Sequence, residues 1–144
     1  MLSGSQTARR ARQIMRIVPH AMMAAGRCRK LKSMKVHYLE IVSADVEQTC
    51  RAYGGADFSS PEPALGNARV RKLPDGGLLG VRAPMSESEQ PVVRPYWLVN
   101  DIGAALDAAV HAGGEVAHPP LEIPGHGTFA IYILGGNQHG LWQL

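Results

Sequence analysis

With 144 residues, 45% of them hydrophobic and 19% charged, the chain is long enough for one domain with its own core. It has no uninterrupted apolar run of about 18 residues that would cross a bilayer as a helix, so no membrane partner is expected. The formal net charge of +3 conceals an asymmetry: eight of the 15 basic residues and none of the 12 acidic ones lie in residues 1–33, which leaves seven bases against 12 acids, about −5, for residues 34–144. Nucleic-acid binding argued from overall basicity would rest wholly on the first 33 residues, and none is expected of the domain. Cys28 and Cys50 are too few for a disulfide framework and have no metal-ligand spacing. They predict a reducing, cytoplasmic setting, with Cys50 as a small buried side chain.

Residues 1–33 are rich in Arg, Ala and Met, and a partly amphipathic pattern (Ile14, Ile17, Val18) is interrupted by Pro19. Three readings fit: an organellar targeting peptide, a phosphate- or membrane-seeking arm, and an extension outside the core with the true start at Met34. The domain is then 34–144. Residues 35–42 alternate as a strand, with Tyr38, Glu40 and Val42 on one face and His37, Leu39 and Ile41 on the other. Ser43-Ala44-Asp45 starts a helix on which Val46, Thr49, Cys50 and Tyr53 recur at helical spacing, with Glu47 and Arg51 as an i,i+4 pair. Gly54-Gly55 ends it.

Residues 56–67 hold at most a short strand, because Pro61 and Pro63 break pairing. Residues 68–73 and 78–83 form a hairpin around Pro74-Asp75-Gly76-Gly77, with Arg69 and Arg71 on one face of its first arm. A polar linker follows. Val92, Val93, Tyr96, Trp97, Leu98 and Val99 then make a second strand of the first type. Asn100 or Asp101 caps a helix with Ile102, Ala105, Leu106, Ala109 and Val110 as its apolar stripe, and Gly113-Gly114 stops it. Three short extended runs, 115–118, 128–134 and 139–144, complete the chain. Strand, Asp-containing cap, helix and Gly-Gly thus occur twice, with the aspartates 56 positions apart.

The predicted fold class is α+β: two tandem βαβββ repeats, about 35–84 and 92–144, forming curled mixed sheets around a cavity. The segments YLEIVSADVEQTCRAY (38–53), RPYWLVNDIGAALDAAVHAGG (94–114) and IPGHGTFAIYILGGNQHGLWQL (123–144) resemble the vicinal oxygen chelate superfamily of glyoxalases, bleomycin-resistance proteins and ring-cleaving dioxygenases. The resemblance covers residue 35 to the C-terminus and implies a cavity lined from fixed strand positions. It also implies a homodimer, as relatives often form one. Metal-using relatives carry His, Gln or Glu on the first strand of each unit and Glu near a last strand. The matching positions here are Tyr38, Arg94 and Gly140, none a good divalent-metal ligand. No metal and no other cofactor is therefore expected.

Glu40 shares the cavity face with Tyr38. It reads either as a general base or acceptor for a ligand, with Arg94 as an anion clamp, or as an ion pair with Arg94 across the two halves. Tyr96 and Trp142 read as aromatic walls or as core. His126, at the tip of Pro124-Gly125-His126-Gly127, reads as part of a lid or as a hairpin turn. Tyr132 alternates away from Phe129, Ile131 and Ile133. His37 and His139 fall on the outward faces of their strands, and a one-residue slip would turn both inward as metal ligands. The function that follows is metal-independent binding of a small anionic metabolite by Tyr38, Arg94, Tyr96, Trp142 and His126, with Glu40 as the candidate catalytic residue of a lyase or isomerase. The alternatives are a divalent-metal lyase or dioxygenase, and a resistance-type protein that sequesters a drug or metabolite without turnover.

Overall fold

The computed structural model describes residues 34–144; the readings of the basic segment fall outside the described residues. Alternating side chains from Val36 onward give strand β1 (Val36–Val42), followed by helix α1 (Val46–Ala52) and two single 3₁₀ turns, Gly55–Asp57 and Pro63–Leu65. The hairpin strands β2 (Arg69–Lys72) and β3 (Leu78–Arg82) come next. The second repeat supplies β4 (Val92–Leu98), α2 (Ile102–His111), β5 (Glu115–Ile123), β6 (Gly127–Leu134) and β7 (Asn137–Gln143).

Both helices start where an aspartate accepts from the free N–H three residues on: Gln48 to Asp45 Oδ1 and Ala104 to Asp101 Oδ1, each at 2.9 Å. Of the two candidate caps before α2, Asp101 is the one used. The hairpin turn closes as its residues dictate, with Asp75 Oδ1 accepting from the Gly77 N–H at 2.8 Å.

The strands form one seven-stranded sheet, in the order β2-β3-β1-β4-β7-β6-β5, open at both edges. The halves meet where β1 pairs antiparallel with β4, and within each half the first strand pairs parallel with the last, β1 with β3 and β4 with β7. The first repeat is one strand short of the second. Where β5 has its counterpart, only an isolated bridge between Glu62 and Ala68 forms, as the two prolines require. In contrast, β5 runs through Pro119-Pro120 to Ile123 instead of ending near His118; it is an edge strand with register shifts on either side of His118, where missing N–H donors are tolerated.

Each helix packs on one side of the sheet with its own apolar cluster. Cys50 of α1 meets Ile41, Phe58, Leu79 and Val81, while Ile102 and Leu106 of α2 meet Ala130 and Leu141. Tyr132 joins the second cluster and stacks on His139, with ring centroids 5.0 Å apart, which places both on the helix side of the sheet. Two local expectations are corrected. Glu47 pairs with Arg69 at 2.6 Å, not with Arg51, because β2 lies beside α1 and offers a guanidinium already held by the Ser59 carbonyl. Val110 remains exposed at the end of its stripe.

Candidate functional site

The other side of the sheet gathers a third cluster: Tyr38 of β1, Leu65 and Ala68 of the first half, and Tyr96 and Trp142 of the second. Three rings, Tyr38, Tyr96 and Trp142, stand with centroids 5.5 to 5.7 Å apart, the tilted and edge-on spacing that aromatic quadrupoles favour. Two glycines make room for them. Gly80 pairs with Glu40 across the parallel ladder and Gly140 pairs with Tyr96. A Cβ on Gly80 would overlap the Tyr38 hydroxyl, and one on Gly140 would overlap the Tyr96 ring. The tyrosines thus occupy the space that side chains on the closing strands would fill.

Beneath the rings lies a buried charge network. Glu40, Arg82 and Arg94 are 6%, 4% and 6% exposed. Glu40 and Arg94 face each other in the β1–β4 register. Arg94 Nη1 donates to Glu40 Oε2 at 2.5 Å, and the Tyr96 hydroxyl donates to the same oxygen at 3.0 Å. Arg82 Nε donates to Oε1 at 2.6 Å. The two arginines spend their remaining donors elsewhere. Arg82 Nη1 and Nη2 reach Glu89 Oε1 and Oε2 at 2.5 and 3.1 Å, and Arg94 Nε and Nη2 reach Gln138 Oε1 at 3.0 and 2.5 Å. Two carboxylates and two guanidinium groups cancel in charge, which is how the three buried ones, Glu40, Arg82 and Arg94, tolerate so little water beside the half-buried Glu89. Of the two readings of Glu40 and Arg94, this geometry is that of the ion pair across the halves.

The network sets the ionisation of its neighbours. Burial, with the Glu40 charge second, pushes the Tyr38 and Tyr96 phenols well above their ordinary value, so both stay protonated. Hydrogen bonds from Arg82 hold the Glu89 carboxyl below its ordinary value against the opposing effect of burial. Burial disfavours the Arg82 charge, but bonds to Glu89 and the charge of Glu40 outweigh it and push Arg82 upward.

Between the rings and the loop before β2 lies a pocket of about 180 Å³. Tyr38, Tyr96, Phe129, Ile123 and Trp142 form its walls, Glu40 is its charged lining residue, and the exposed Met85 and Leu121 stand at its mouth. The structure therefore brings together Tyr38, Glu40, Tyr96 and Trp142 of the candidate residues. Arg94 lies behind Glu40 and does not line the pocket. His126 does not line it either: its segment is a tight turn in which the His126 N–H donates to the Ile123 carbonyl at 2.9 Å, and its own carbonyl accepts from Trp142 Nε1 at 3.0 Å. What the loop contributes is an anchor for the tryptophan.

His37 departs from simple alternation. A register shift between Val36 and Tyr38 breaks the two-residue period, and the imidazole packs 5.6 Å from the Trp142 ring. Sequence reasoning missed Arg82, Glu89 and Gln138. A signal for the first was present: aligning Gly80-Val81-Arg82 with Gly140-Leu141-Trp142 puts Arg82 at the inward position of Trp142.

The positions that the sequence resemblance implies for a divalent ion carry side chains that do not suit one. Tyr38 and Arg94 stand on the first strands, Gly80 and Gly140 on the closing ones, and the nearby carboxylate is already bonded to two guanidinium groups. Among the described residues no three of His, Cys, Asp and Glu converge as a ligand set.

No family model matches the chain, and no curated protein matches its sequence. Solved structures do match. A hypothetical protein from Bacillus halodurans C-125 superposes with a TM-score of 0.60 at 13% identity, covering 78% of this chain and 96% of its own. Methylmalonyl-CoA epimerase from Mycobacterium tuberculosis gives 0.56 at 13%, covering 74% and 85%. A protein from Legionella pneumophila named as an NAD-dependent benzaldehyde dehydrogenase gives 0.52 at 12%, covering 74% and 97%. Names this different on one scaffold leave the chemistry to the site. Residues 34–144 thus share the open, mixed-sheet α+β fold of these solved structures, the fold class expected from the sequence.

Proposed function

We propose that the domain binds a small organic molecule in the pocket between its two halves, and does so without a divalent metal. The observation that carries this reading is the pocket itself: about 180 Å³ of space on the inner face, walled by aromatic side chains and closed below by a charge-balanced network. Glu40 has Oε2 bonded to Arg94 and Tyr96 and Oε1 bonded to Arg82, an arrangement that suits a structural anion better than a base left free to take a proton. Sequestration without turnover is accordingly favoured over the lyase or isomerase reading.

Ala64 sits at the pocket rim. In a titration of small aromatic probes followed by ligand-detected NMR, the Ala64→Trp variant should lose at least about tenfold in affinity, because its indole occupies the ligand's space. Equal binding by variant and parent would place the ligand elsewhere. Protein purified without chelator should contain no stoichiometric Ni, Zn, Fe or Mn, and its probe affinity should survive chelator treatment.

A further inference from the structure

The pocket has an unusual balance of polar groups. Among the described residues its one charged lining residue is a carboxylate, yet the guanidinium groups that neutralise this carboxylate do not line the pocket. Arg94 directs its bonds to Glu40, Tyr96 and Gln138, and Arg82 directs its own to Glu40, Glu89 and the Ala83 carbonyl. An anionic ligand would meet the Glu40 charge and, among the described residues, no cationic donor. A cationic ligand would approach Glu40 only where two fixed positive charges already stand beside it. Both signs are penalised by the same network.

Two hydrogen-bonding capacities nevertheless remain beside the pocket, behind its wall. Glu40 Oε1 accepts one bond, from Arg82, and has a second lone pair. The Tyr38 hydroxyl, on the residue whose ring forms the adjacent wall, is buried with no partner among the described residues, a cost that native interiors seldom leave unmet. One capacity is for an acceptor and the other for a donor. Size completes the description, since an apolar cavity of about 150 Å³ is known to accommodate benzene.

We infer that the ligand is an uncharged molecule of about single-ring size carrying one group that both accepts and donates a hydrogen bond, such as a hydroxyl or primary amide, placed at the corner formed by Tyr38 and Glu40. This rests on the binding reading above and narrows its ligand class.

Four probes of one shape separate the outcomes: benzyl alcohol, toluene, benzoate and benzylammonium, titrated into the full chain near neutral pH. Benzyl alcohol should bind roughly tenfold more tightly than toluene, the worth of one or two neutral hydrogen bonds, and both ions should bind more weakly than toluene. In Tyr38→Phe, which keeps the ring and should keep the melting temperature, the preference of alcohol over toluene should shrink toward unity. Benzoate or benzylammonium binding best would overturn the uncharged class while leaving pocket binding intact. An unchanged alcohol preference in Tyr38→Phe would remove the hydroxyl from the site and overturn the assignment of that corner. If none of the four binds, the binding reading itself fails and this inference with it.

Discussion

Arg94 donates to Glu40, Tyr96 and Gln138 from a position almost closed to water, so shortening it strips several partners at once. Arg94→Ala should lower unfolding free energy by about 3–5 kcal/mol, since it leaves the Glu40 carboxylate buried beside a single cation; chemical denaturation would check this, and a loss under about 1 kcal/mol would show that water reaches the network. Glu89 gives a pH signature of the same network. Its folded value lies below the ordinary 4.5, so the unfolded chain binds the proton more readily, and the stability it contributes is present above that pH and lost as pH falls through the folded value. In acid titrations of stability, Glu89→Gln should therefore show a shallower decline below about pH 4.5 than the parent. At this scale the sequence was half legible. Strand alternation put Tyr38, Glu40, Tyr96 and Trp142 on the inner face, because a period of two is fixed once the helix caps are located. Gln138 was not legible, because its partner Arg94 stands on a strand 44 residues away; Glu89 lies in a polar linker with no period to orient it, although its partner Arg82 is only seven residues back, and His37 was masked by a bulge that no local residue announces.

The two capped helices show what an element owes to a single side chain. Asp101 lies where the free N–H groups of α2 need an acceptor, and Ile102 behind it is fixed further by Gln143 Oε1, which accepts its N–H at 2.8 Å. Asp101→Ala should cost about 1 kcal/mol in thermal or chemical denaturation, whereas Asn100→Ala should cost a few tenths; equal losses would mean that the two share the cap. Helices, hairpin and the paired aspartates could be read from spacing because each is a local matter of caps, turns and period. The extent of β5 could not, since Pro119-Pro120 would stop an interior strand and is accommodated only because β5 has a single neighbour. The missing strand of the first repeat is the same rule with the opposite outcome: Pro61 and Pro63 leave one bridge and two short turns.

In the molecule as a whole, the β1–β4 seam unites two similar halves and puts the ion pair, the rings and the pocket on one face of a continuous sheet. The likeness to solved structures extends over about three quarters of the chain at 12–13% identity, so what is shared is the backbone course. Each structure's side chains then decide what its inner face can hold. In this chain Tyr38, Arg94 and Gly140 stand at the positions where the sequence resemblance implies metal donors, and the arginines are turned toward carboxylates instead of toward the cavity. The most direct measurement is a crystal structure of the full chain grown with saturating benzyl alcohol. Density for one molecule in the pocket between the rings and the loop before β2, its hydroxyl within hydrogen-bonding distance of Glu40 or the Tyr38 oxygen, is the predicted result. A filled metal site on that face, or a pocket left empty while the alcohol binds elsewhere, would contradict it.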